Sequence, residues 1–166
     1  MKSLATIIRV NIGAKFFGVY GVAIVFLFID LPQAWSWIEP LPLLATIFYH
    51  TLFIARSLNL FIVWLIGLAL DLIMGAYLGE NGMALVLSVF PLMVFRKNIL
   101  TLGNLKIVSI IFGTFLCYQL IIFMMRLYAG EPFMGWIVLK VALLGVLIWL
   151  SIVAILFSGK KVEYFT

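Results

Sequence analysis

Residues 67–82 read GLALDLIMGAYLGENG, and within them Asp71 is the only acidic residue deep inside an apolar run. Gly67, Asp71, Gly75 and Gly79 recur at every fourth position. On an α-helix, residues four apart lie on one face and drift by about 40° per step. A helix continued through this stretch therefore gathers three glycines and a carboxylate in one stripe. Glycine lets a second helix backbone approach closely, as at small-xxx-small contacts between membrane helices. An ionisable group at bilayer depth costs ~2.5 kcal/mol or more, so Asp71 is expected to face protein or a water-filled cavity. The stripe has two compatible readings. In one, the glycines allow close packing and Asp71 caps or hydrogen-bonds a neighbouring helix within the fold. In the other, the stripe serves a partner or a ligand.

The rest of the chain sets this stretch in a membrane. Of 166 residues, 66% are hydrophobic and 10% charged, with a mean hydropathy of +1.29. Soluble domains average about 25% charged residues. The expected class is an all-α integral membrane protein forming a single polytopic domain in the lipid bilayer. The net charge of +5 does not indicate nucleic-acid binding, because the basic residues sit at the ends of apolar runs. The N-terminal MKSLATIIRVNIGAK is basic and precedes an apolar run, but no small-x-small cleavage site comes after it, so it is read as leading into an uncleaved first span. Residues 2–15 fit either a short interfacial helix or a tail.

Six transmembrane helices are expected, at about 16–31, 41–55, 60–78, 83–95, 107–128 and 136–157. Trp35 and Trp37 lie beyond the first run, as is usual in the headgroup region. The fourth run falls short of the ~20 residues that a span needs and contains Pro91, so tilt or a kink is expected there. With six spans and an inner N-terminus, only Arg126 and Lys140 of the 11 basic residues fall outside, both near span ends where they can snorkel. Asp30, Glu39, Glu80 and Glu131 fall in the outer segments. The positive-inside rule thus puts both termini in the cytoplasm.

Polar chemistry at depth is sparse: His50, Asp71 and Gln119, with the hydroxyls of Ser88 and Thr114. A membrane aspartic peptidase needs two carboxylates sharing a site, and only Asp71 lies deep. A metal site needs three or four ligands, against one His and one Cys. No catalytic residues, metal or cofactor are therefore expected. His50, beside Tyr49, is read as a hydrogen-bonding packing residue ahead of a proton relay. For Asp71, Gln119 is the depth-matched polar partner and Arg126 the charge-matched one, provided that the third and fifth spans are neighbours.

The stretch from Glu39 to Leu100 resembles the rod shape-determining protein MreD family. The resemblance rests on Gly67, the pair Asp71-Leu72, Gly75 and the pair Leu78-Gly79, with the apolar run Met83–Phe95 behind them and Phe95-Arg96 entering a basic inner loop. Where that family often carries Arg-Pro-x-Trp, this chain has Glu39-Pro40-Leu41-Pro42. The resemblance implies a non-enzymatic scaffold of the cell-wall elongation machinery in the bacterial cytoplasmic membrane. Its direct partner would be an MreC-like bitopic protein, which would link it to MreB filaments, the RodA glycosyltransferase and a class B penicillin-binding transpeptidase. The alternative is a small-molecule-binding membrane subunit of a vitamin-type transporter, with Asp71, His50 and Gln119 lining a pocket.

Overall fold

A computed structural model describes residues 12–29, 38–54, 59–130 and 135–157. Six α-helices cover them: α1 (Ile12–Leu27), α2 (Leu41–Phe53), α3 (Leu60–Met74), α4 (Glu80–Ile99), α5 (Asn104–Tyr128) and α6 (Trp136–Phe157). The secondary structure of the described residues is helical, with no strand among them. Three segments, Glu80–Ile99, Asn104–Tyr128 and Trp136–Leu156, are long and apolar enough to cross a membrane. The segments Gly18–Leu27, Leu41–Phe53 and Leu60–Met74 are apolar but shorter.

Local chemistry sets the helix starts. Pro42 sits in the first turn of α2, where its missing N–H has no helical partner to lose. The Asn59 side chain caps α3 by accepting from the Phe61 N–H at 3.2 Å.

The helix limits differ from the sequence expectation at several ends. α1 begins at Ile12 rather than residue 16 and ends at Leu27, while Asp30, Leu31 and the segment 2–11 lie outside the described residues. α3 stops at Met74 rather than residue 78. α4 runs for 20 residues rather than 83–95, starting at Glu80 and continuing through Pro91 to Ile99. The helix thereby reaches the length expected of a span. Proline inside a membrane helix is tolerated where neighbouring groups or local adjustment compensate for the freed carbonyl. α5 gains its first turn from Asn104.

α2 forms the centre. Ten of its 13 residues are buried, and it packs against α1, α4 and α6. Phe48 of α2 meets Phe115 of α5 edge to face, with ring centroids 4.8 Å apart. Gly145 of α6 lies under the same ring, where an added Cβ would come within 2.6 Å of Phe115 Cδ1 and Cε1. At 13 residues α2 is only ~20 Å long. Surrounded by other helices, it has no need to match the ~30 Å hydrocarbon core.

Two polar contacts fix the helix directions. Arg96, in the last turn of α4, donates through Nε to the Leu52 carbonyl near the end of α2 at 2.8 Å. A cation at a helix C-terminus is favourable because the last carbonyls there lack helical donors. Arg126, near the end of α5, meets Glu80 at the start of α4. α2 and α4 therefore finish together at one end of the bundle, and α5 finishes at the opposite end. Trp136, at the start of α6, carries the Lys140 ammonium 4.1 Å above its ring centre.

Candidate functional site

Asp71 lies in the last turn of α3, and its carboxylate closes the start of α4. Oδ2 accepts from the Gly79 N–H at 2.7 Å. Oδ1 accepts from both the backbone N–H and the side-chain Nδ2 of Asn81, each at 2.8 Å. These backbone N–H groups are at the N-terminus of α4, where helix donors have no internal partner. The carboxylate also meets the positive end of the helix dipole. Asn81 Oδ1 in turn accepts from the Tyr118 hydroxyl of α5. A chain of buried polar groups thus ties α3, α4 and α5 together.

The turn between α3 and α4 depends on glycines for its backbone. Gly75 has φ 61° and Gly79 φ 95°, the left-handed region where a Cβ is penalised. Gly75 ends α3 as a left-handed cap whose N–H returns to the Asp71 carbonyl, a usual way to stop a helix. This corrects the helical stripe. Gly67 and Asp71 do share the α3 face toward α4, but Gly75 and Gly79 shape a turn and do not pack as small residues. Of the three glycines only Gly67 makes a close helix contact: a Cβ there would lie 2.6 Å from Gly82 N and 2.9 Å from Asn81 C. Among the described residues, a Cβ on Gly75 or Gly79 would have no atom within 4 Å.

The two kinds of glycine predict different mutational profiles. Gly67→Ala should push α3 from α4, because backbone cannot yield, at the top of the ~1–3 kcal/mol range for overpacking. Gly75→Ala should cost only ~1–2 kcal/mol of left-handed strain, and Gly75→Asn less, since asparagine visits that region more readily. Thermal midpoints of the purified variants in one detergent check the order, with Gly67→Ala expected lowest and Gly75→Asn nearest to the parent.

Glu80 is a second buried carboxylate, although its sequence position placed it in an outer segment. It lies in the first turn of α4 and is fully buried. Oε1 accepts from Arg126 Nε at 2.6 Å, while Oε2 has no hydrogen-bond partner among the described residues. Arg126 was the charge-matched candidate for Asp71, but its guanidinium instead pairs with Glu80. Gln119 is buried in α5, yet the Asp71 oxygens are filled by Gly79 and Asn81. The reason is topological: α4 packs against both α3 and α5 and stands between them. Asp71 and Glu80 have separate donors and share no hydrogen bond, so they do not form a peptidase-like pair.

His50 is elsewhere. It lies in the last turn of α2 with Nδ1 3.1 Å from the Tyr20 hydroxyl of α1. That is the Arg96 end, whereas Asp71 and Glu80 are at the start of α4, ~24 Å along that helix. His50, Asp71 and Gln119 therefore do not line one pocket. A groove of about 570 Å³ between α1 and α6 has walls that include Val22, Ala23, Ile148 and Ile152. Such walls lack the convergent polar groups that orient a hydrophilic ligand. Among the described residues no group of three or more His, Cys, Asp or Glu side chains is placed to hold a metal. Cys117 is a free, exposed thiol.

Fold and site together define a helical protein with three helices long and apolar enough to cross a membrane, in which a carboxylate clamp joins two successive helices and a buried ion pair joins the next. No protein-family model, curated protein or solved structure matches the chain.

Sequence reasoning missed Glu80 and Asn81 as parts of this cluster. The signal was present: Gly79 followed by Glu80 fits a helix start, where acidic residues concentrate in the first turn.

Proposed function

We propose that this chain is a non-enzymatic scaffold of the bacterial cell-wall elongation machinery, seated in the cytoplasmic membrane with six spans and both termini inside. Its direct partner is an MreC-like bitopic protein, through which it joins MreB, RodA and a class B penicillin-binding transpeptidase. The observation that supports this reading is the construction of the α3–α4 pair. α3 packs chiefly against α4 and buries only Val63, Gly67, Leu70 and Asp71. The stretch that resembles the MreD family thus serves to hold α3 rigidly to its neighbour. The outer face of α3, with Phe61, Leu65 and Leu72 exposed, is left for a helix of another protein. The vitamin-transporter alternative lacks comparable support, because its three polar residues do not converge.

Co-purification tests the proposal. The tagged chain is expressed with the MreC-like protein of the same bacterium and extracted in mild detergent. A stoichiometric complex is expected. Leu65→Arg, on the exposed face, should release the partner while the chain keeps its helicity and yield. A well-behaved chain that never retains the partner overturns the proposal.

A further inference from the structure

Trp149 lies in the second half of α6 and is 2% exposed. Its indole N–H meets no acceptor among the described residues. It stacks on Phe53, the last residue of α2, with ring centroids 6.2 Å apart and planes 27° from parallel. Both rings line a cleft of about 350 Å³ where α2 ends, α5 begins and α6 passes. That volume falls in the ~300–1,000 Å³ range of small-molecule sites. Ile107, Leu150 and Val153 supply apolar walls, and the Asn104 amide adds a polar side chain. Leu150 is 38% exposed, so the cleft is reachable from the helix surface.

Charge selects the kind of occupant. The cleft is at the Arg96 end of the bundle, where α4 finishes and α5 starts. Arg96, Lys97 and Lys106 are at this end. The described carboxylates, Glu39, Asp71 and Glu80, belong to the opposite end, before α2 and around the α3–α4 turn. Basic clusters between membrane helices at one interface favour anionic headgroups. We propose that this cleft binds one anionic phospholipid. Its acyl chain lies along Ile107, Trp149, Leu150 and Val153 and runs inward from the basic end, which attracts the headgroup charge.

The test uses the full chain in detergent and native mass spectrometry. Phosphatidylglycerol and phosphatidylcholine with the same acyl chains are added in equal amounts. One phosphatidylglycerol is expected to stay bound at ratios where phosphatidylcholine is lost. Val153→Trp should abolish retention by filling the cleft. A second readout covers variants that fold poorly: phosphatidylglycerol brominated on its acyl chain should quench the parent protein's fluorescence, and Trp149→Phe should remove most of that quenching. Equal retention of the two lipids by the parent, unchanged retention by Val153→Trp, or unchanged quenching in Trp149→Phe overturns the proposal.

Discussion

Asp71→Leu is expected to lose most of the folded protein on extraction. Leucine fills similar space but accepts nothing. The Gly79 N–H, the Asn81 N–H and the Asn81 side-chain amide would all lose their acceptor. Each stranded donor in a buried site costs about 1–3 kcal/mol, against a net stability of only ~5–15 kcal/mol for a typical domain. Asn81 would also hold its bond from Tyr118 less firmly, loosening α5. Asp71→Asn is the informative control. Its single oxygen can still serve both Asn81 donors, while its amide nitrogen faces the Gly79 N–H, donor against donor. The expected order of thermal midpoints is therefore parent, then Asp71→Asn, then Asp71→Leu. Equal midpoints for the parent and Asp71→Leu would show that the clamp contributes nothing to the fold.

That clamp was half legible in the sequence. A lone carboxylate in an apolar run must be satisfied by protein, and the within-fold reading of Asp71 as a cap is the one that the geometry supports. The hidden part was the turn. Residues 75–79 read GAYLG, with no Pro, Asn, Asp or Ser to mark a break, so the apolar pattern continued through it. Glycine at every fourth position fits both a helix-packing stripe and a pair of left-handed turn residues, and period alone does not separate them. The next two residues decide between the two. Glu80 and Asn81 are polar residues that begin a new helix, which extends the short fourth run to a full span. The central position of α2 was not legible, because it results from helix order in space. Partner choice for Arg126 was unreadable for the same reason, because it depends on α4 standing between α3 and α5.

Arg126→Ala is expected to be the next most damaging change. Among the described residues it leaves the buried Glu80 carboxylate with no countercharge, while Oε2 already has no donor there. Breaking a buried ion pair from one side costs about 3–5 kcal/mol. The Arg126 side chain is 32% exposed, so water entering the vacated space should hold the loss near the lower figure. Glu80→Gln alone should be mild: the amide oxygen can still accept from Arg126, and no carboxylate remains to be desolvated. The double variant Glu80→Gln/Arg126→Ala should then be more stable than Arg126→Ala, because the stranded charge is gone. That sign reversal, a second mutation restoring stability, is the mark of a buried pair, since exposed pairs contribute only about 0–1 kcal/mol. Midpoints of the four proteins in one detergent provide the cycle. Simple additivity would mean that Glu80 is solvated, and α4 would then begin in water as an outer loop rather than inside the helix bundle.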